Sequence, residues 1–79
     1  MVTVLFLGPL ADIAGVAELE LPAPMNWATL IGAVNSETAG QLREDRIKVA
    51  CGGRVLADKR LLNAVDGDEV ALLPPVSGG

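Results

Sequence analysis

The chain has 79 residues, of which 51% are hydrophobic, with a formal net charge of −4. One small domain with an aliphatic core fits these figures, because one Phe, one Trp and no Tyr are available to fill it. Ten acids against six bases exclude a phosphate-backbone binder, the scarcity of aromatics excludes a stacking platform for single strands, and one Cys without any His excludes an internal disulfide and the usual zinc sites.

Met1-Val2-Thr3-Val4-Leu5-Phe6-Leu7 opens the chain without a basic region, and Gly8, Pro9 and Asp12 interrupt the apolar run. It is expected to be neither a signal peptide nor a membrane span, so the expected setting is the reduced cytoplasm, with no membrane and no nucleic-acid partner. The β-rich run from Val2 to Leu7 predicts the first strand, ended by Gly8-Pro9. Leu10 to Ala14 predicts one helical turn closed by Gly15. Val16 to Leu21 alternates, with Ala17, Leu19 and Leu21 on one side, and predicts a half-buried strand antiparallel to the first.

Pro22 and Pro24 break the chain, and Asn26 is a predicted N-cap. Trp27, Leu30, Ile31 and Val34 recur at helical spacing, which predicts one helix with Gly40 as its end. Ile47, Val49 and Cys51 alternate against Lys48 and Ala50 in a further strand. Gly52-Gly53 turns it into a short partner, Arg54-Val55-Leu56. Asp66-Gly67-Asp68 is a turn into the last strand, Glu69 to Leu73. The expected fold class is α+β, a β-grasp or ubiquitin-like arrangement with a small mixed sheet packed on one main helix.

One helix covers one face of a sheet. Val2, Val4, Phe6, Val70 and Leu72 are assigned to the covered face, so Leu5, Leu7, Ala71 and Leu73 fall on the other. Apolar side chains gathered on an open face mark a partner surface. The chain then ends in Pro74-Pro75-Val76-Ser77-Gly78-Gly79. Two prolines favour an extended path, and two glycines pass a channel too narrow for a Cβ. Six residues reach on the order of 20 Å. A body over 1–73 and a tail over 74–79 is the expected division.

Asp66-Gly67-Asp68-Glu69-Val70 followed by Leu72-Leu73 and the Pro74 to Gly79 run resembles the small-subunit family of molybdopterin synthase, whose members are ubiquitin-like sulfur carriers. The opening strand, the turn ending at Gly15 and the length agree with it. Ala50-Cys51 stands where members often carry Val-Asn, and Gly52 to Val65 matches loosely. The resemblance implies that an E1-like enzyme adenylates the Gly79 carboxylate with ATP and that a sulfur donor protein supplies sulfur for a thiocarboxylate. It further implies that the tail enters the large subunit, in a heterotetramer with two of each, and gives its sulfur to a pterin precursor. Gly79 is then the reacting group, Gly78 keeps the approach narrow, and Leu7, Leu73, Pro74, Pro75, Val76 and Ser77 meet the partner. The chain itself is expected to bind no cofactor or metal and to act as a donor subunit rather than as an enzyme alone.

Three alternatives stand beside this reading: a thiamin-pathway sulfur carrier, a ubiquitin-like modifier joined through Gly79 to lysines, and an interaction domain with an inert tail. Cys51 is read as a small core residue rather than a thiol carrier, because no His or basic cluster adjoins it in sequence. The acids Asp66, Asp68 and Glu69 are read as a solvated turn.

Overall fold

The structure, a computed structural model, describes residues 1–75. In chain order the elements are β1 (Val2–Phe6), α1 (Pro9–Ala14), β2 (Glu18–Leu21), β3 (Met25–Asn26), α2 (Trp27–Ala33), α3 (Ser36–Leu42), β4 (Lys48–Cys51), β5 (Arg54–Val55), a 3₁₀ turn (Lys59–Leu61), β6 (Asn63–Ala64) and β7 (Glu69–Leu73). Five strands form one sheet in the order β2-β1-β7-β4-β5, and β3 pairs with β6 in a small separate ladder. β1 and β7 run parallel in the sheet's interior, whereas β2, β4 and β5 join it antiparallel. This is the mixed sheet of the β-grasp class.

Alternation sets which side chains are buried. Val2, Val4 and Phe6 of β1, Val49 of β4, and Val70 and Leu72 of β7 all point to the helix side and are buried. Leu10, Met25, Leu30, Leu42, Ile47, Leu62 and Ala64 close the core from the opposite side. Burying one such aliphatic side chain contributes about 1.5–3 kcal/mol, so the two inward residues of β7 are costly to lose.

Local signals place the first elements as expected. Gly15 takes the left-handed conformation at φ 81°, and its N–H donates to the Ala11 carbonyl at 2.9 Å, which ends α1. Asn26 caps α2, its Oδ1 accepting the Thr29 N–H at 2.9 Å. β2 starts later than the alternation suggested, at Glu18, although the Phe6 N–H still donates to the Ala17 carbonyl.

The expectation of one main helix ending at Gly40 is corrected. α2 stops at Ala33, Val34 is extended at φ −106° and ψ 164°, and a second helix begins at Ser36 with Gly40 inside it. Asn35 causes the break. Its Oδ1 accepts the Thr38 N–H at 2.7 Å and caps α3, while its Nδ2 donates to the Ile13 carbonyl at 3.1 Å and holds the junction against the end of α1. The Gly52 to Val65 stretch also holds more than was anticipated, namely the 3₁₀ turn and β6, whose Ala64 pairs with Met25.

Asn35→Ala removes both hydrogen bonds and is expected to lower unfolding free energy by about 1–2 kcal/mol. Urea denaturation of the variant beside Asn35→Asp, which keeps the cap but loses the donor to Ile13, separates the two contributions.

Candidate functional site: the open sheet face and the base of the tail

The sheet's second face is built by register. Leu5 lies between Glu18 and Ala71, Ala71 also pairs with Ala50, and Ala50 with Val55. These residues form one row across all five strands, apolar from Leu5 to Val55. Leu5, Ala71 and Ala50 are half-buried there, and Val55 is 60% exposed. On one side runs an acidic row in which Thr3 lies between Glu20 and Glu69. On the other, Leu73 pairs with Lys48. Phe6 and Leu72 are register partners, so Leu7 and Leu73 follow side by side at the end from which the tail departs, and Leu7 is 40% exposed. The face is an apolar strip with acids at the far end and a lysine next to the tail.

Of the residues singled out in the sequence, Leu7, Leu73 and Pro74 come together here, and Pro75 follows them exposed. Val76, Ser77, Gly78 and Gly79 lie outside the described residues. Ala50 and Val55 were not singled out, although the alternation against Ile47 and Val49 and the tight turn at Gly52-Gly53 already put them on this face.

Gly8 was missed as well. It stands at φ 55° and ψ −133°, a backbone conformation open to glycine, and a Cβ there would lie 3.4 Å from Cγ of Pro74. The Leu7 N–H donates to the Leu72 carbonyl at 3.3 Å just before it. The β1–α1 connection therefore lies against the base of the tail, with Pro74 half-buried on it. The two residues are far apart in sequence, and only the parallel pairing of β1 and β7 reveals the contact.

The acidic turn serves the fold. Gly67 takes φ 91°, its N–H donates to the Met1 carbonyl at 3.0 Å, and the Asp68 carbonyl accepts the Thr3 N–H. Asp68 Oδ2 accepts the Val65 N–H at 2.9 Å. Asp66 pairs with the chain's terminal ammonium, whose hydrogen bond draws the carboxyl below its ordinary range. Cys51 packs half-buried against the core, with its Sγ 3.7 Å from Asp68 Oδ2. Burial foremost, then the Asp68 charge and hydrogen bond, pushes its thiol up. Among the described residues no group of three His, Cys, Asp or Glu side chains is arranged to hold a metal ion, and no helix is long and apolar enough to cross a membrane.

Gly8→Ala forces the strained backbone on a residue with a Cβ and is expected to cost about 1–3 kcal/mol. Amide shift changes centred on Leu7 and Leu72 to Leu73 would show the disturbance reaching the tail base. For Cys51, the fold holds the proton more tightly than the unfolded chain does. Unfolding thus releases a proton above the ordinary thiol range, and stability is expected to decline there as pH rises. Alkylation of Cys51 in the folded protein should accordingly begin at higher pH than that of a free cysteine; an equal or lower onset contradicts the assignment.

The family comparison covers nearly all of this architecture: the ThiS family model matches residues 4–79. SAMP1 from Haloferax volcanii is 27% identical, with 99% of this chain and 98% of that one covered at a TM-score of 0.64. A Pyrococcus furiosus chain assigned as molybdopterin converting factor subunit 1 is 25% identical over 95% of this chain and 97% of its own, also at 0.64. Subunits 1 and 2 of the molybdopterin-converting factor from Helicobacter pylori, solved as a complex, give a match at 23% identity and a TM-score of 0.66, covering 99% and 97%, a likeness of fold. No curated protein sequence matches significantly. With its β-grasp sheet, its open apolar face and a family match spanning that face and the tail, the chain belongs to the ThiS family of ubiquitin-like sulfur carriers.

Proposed function

We propose that this sulfur carrier serves molybdenum cofactor biosynthesis as the small subunit of molybdopterin synthase. The observation that carries the reading is the tail sequence, Pro74-Pro75-Val76-Ser77-Gly78-Gly79, issuing from the strand that forms the apolar face. The likeness to the Pyrococcus furiosus subunit 1 supports this branch, and the Helicobacter pylori complex supports a large subunit as the partner. On this proposal residues 1–73 are the body that docks, and residues 74–79 are the arm that reaches the reaction.

A carboxylate at neutral pH is a poor electrophile, so Gly79 must first be activated. Its oxygen attacks the α-phosphorus of ATP in an E1-like enzyme, pyrophosphate leaves, and an acyl-adenylate forms. A persulfide on a donor protein attacks the acyl carbon through its outer sulfur and expels AMP, and a thiol then attacks the donor-side sulfur of the acyl disulfide, forming a disulfide with the donor and releasing the Gly79 thiocarboxylate. Within the large subunit that sulfur attacks the pterin precursor, water then cleaves the acyl–sulfur bond so that the sulfur stays on the pterin, and the released carboxylate returns for another cycle. Nothing in these steps asks for a catalytic side chain from this chain. The body contributes position: Leu5, Leu7, Ala71 and Leu73 offer the apolar face, and Pro74 against Gly8 aims the arm. Proline at the base lowers the entropy lost when the arm is threaded. The assembly is proposed to hold two small and two large subunits, in the cytoplasm.

A second reading has its own observation. The Haloferax volcanii SAMP1 likeness favours a modifier joined through Gly79 to lysines. Activation is shared, and the acceptor distinguishes the two.

Intact-mass spectrometry tests the proposal. The native-ended protein is incubated with an E1-like enzyme, ATP and a sulfur donor, beside a variant lacking Gly78-Gly79. The expected result is a gain equal to exchanging one oxygen for sulfur, absent from the truncated form, followed by loss of that gain when the large subunit and the pterin precursor are added. Retention of the sulfur there, with isopeptide-linked products in a cell extract, would transfer the assignment to the modifier.

A further inference from the structure

A groove of about 480 Å³ opens where β5 ends, between the start of β4, the start of α2 and the 3₁₀ turn. Four of the chain's six basic residues, Arg43, Lys48, Lys59 and Arg60, line it, against two of the ten acids, Asp45 and Asp58. Four bases less two acids give the groove a formal charge of +2 on a chain of −4. Such a concentration of one sign in a concave site focuses the field there, opposite to that of the protein as a whole.

Two of the four cations are already committed. Arg60 Nε lies 3.1 Å from Asp58 Oδ1. Lys59 Nζ donates to the Ile47 carbonyl at 3.0 Å and to the Glu44 carbonyl, and stands 5.8 Å from the centre of the Trp27 ring. Among the described residues Arg43 and Lys48 have neither an ion pair nor a side-chain hydrogen bond. Half-buried Trp27 and Leu56 and buried Val49 supply an apolar floor. The groove is also continuous with the open face, because Lys48 pairs in register with Leu73.

We propose that this groove is a second docking site, which takes an acidic peptide segment with an apolar anchor from a protein that also covers the open face. Acids of the segment pair with Arg43 and Lys48, and the anchor rests on Leu56 and the edge of Trp27. A peptide fits better than a nucleotide. Trp27 is the only ring that lines the groove, it is half-buried, and Lys59 stands over one of its faces, so a base would find little to stack on, whereas the pair of cations, Arg43 and Lys48, suits carboxylates. The site is separate from the tail and acts whatever Gly79 is joined to.

Trp27 is the chain's single tryptophan and reports on the groove directly. The full chain is titrated with a short peptide in which Asp and Glu flank a Leu-Leu pair, with its Asn/Gln counterpart, and with ADP, following Trp27 fluorescence and amide shifts. A saturable response to the acidic peptide, with shifts at Arg43, Lys48 and Leu56, is expected. Arg43→Ala and Lys48→Ala are each expected to weaken it roughly two- to fivefold, and added salt should weaken it further. Both residues are exposed, so these variants fold; Arg54→Ala, a base outside the groove, should bind as the parent does. Deleting Gly78-Gly79 should also leave binding intact, which keeps this test independent of Gly79 activation. The proposal is overturned by the absence of saturation at millimolar peptide, by equal binding of the Asn/Gln counterpart, or by a response to ADP alone.

Discussion

β7 lies in the interior of the sheet, hydrogen-bonded to β1 on one side and β4 on the other, and the rest of the structure depends on that placement. A strand paired on both edges cannot fray from one of them, and its register is set twice over. Slippage by one residue would exchange Val70 and Leu72, both buried, for Ala71 and Leu73 on the open face. The same strand leads directly into the Pro74 to Gly79 segment. The arm therefore starts from one of the most constrained backbones in the molecule, and its first proline is set against Gly8. On the proposed reading a tail of six residues is useful only when its origin is fixed, and the two ladders of β7 fix it.

The two faces of the sheet divide the remaining work. Toward the helices the side chains are large and aliphatic, and burial makes them the source of stability. On the open face, Leu5, Ala71, Ala50 and Val55 keep the central row low and apolar, closed by Glu18 at the β2 edge, with Glu20 and Glu69 at one end and Lys48 at the other. Small residues at the centre let a partner approach closely, and charges of opposite sign at the two ends give an orientation. A partner aligned by this pattern has the tail base at the Lys48 end, where the cationic groove also opens.

Much of this was legible in the sequence, for a physical reason. β1, β2, β4 and β7 alternate with period two, and Gly15, Gly52-Gly53 and Gly67 mark turns whose positive φ favours glycine. These signals are local. The break between α2 and α3 was hidden because Trp27, Leu30, Ile31 and Val34 keep helical spacing up to the break, while its cause, Asn35 bonded to Ile13, combines a cap with a contact to another element. The β3–β6 ladder pairs only two residues on each side and has no periodicity to detect. Gly8 against Pro74 and the gathering of Arg43, Lys48, Lys59 and Arg60 are likewise products of topology.

On the proposed reading, the treatment of sulfur follows the same division between body and arm. A sulfur carrier holds its cargo as a labile species, and a reactive thiol nearby would compete for it through exchange with the donor. The single cysteine is disfavoured as a thiolate in this fold. Cys51 packs against the core from β4, and Asp68, pinned by the Val65 N–H, sets a negative charge beside its sulfur. Both features oppose the thiolate, which is the nucleophilic form. Asp68 also holds the turn that starts β7, so the residue that quiets the thiol helps place the strand leading to the arm. On the proposed reading the body contributes no sulfur nucleophile of its own, and transfer is confined to the one carboxylate that β7 delivers to the partner.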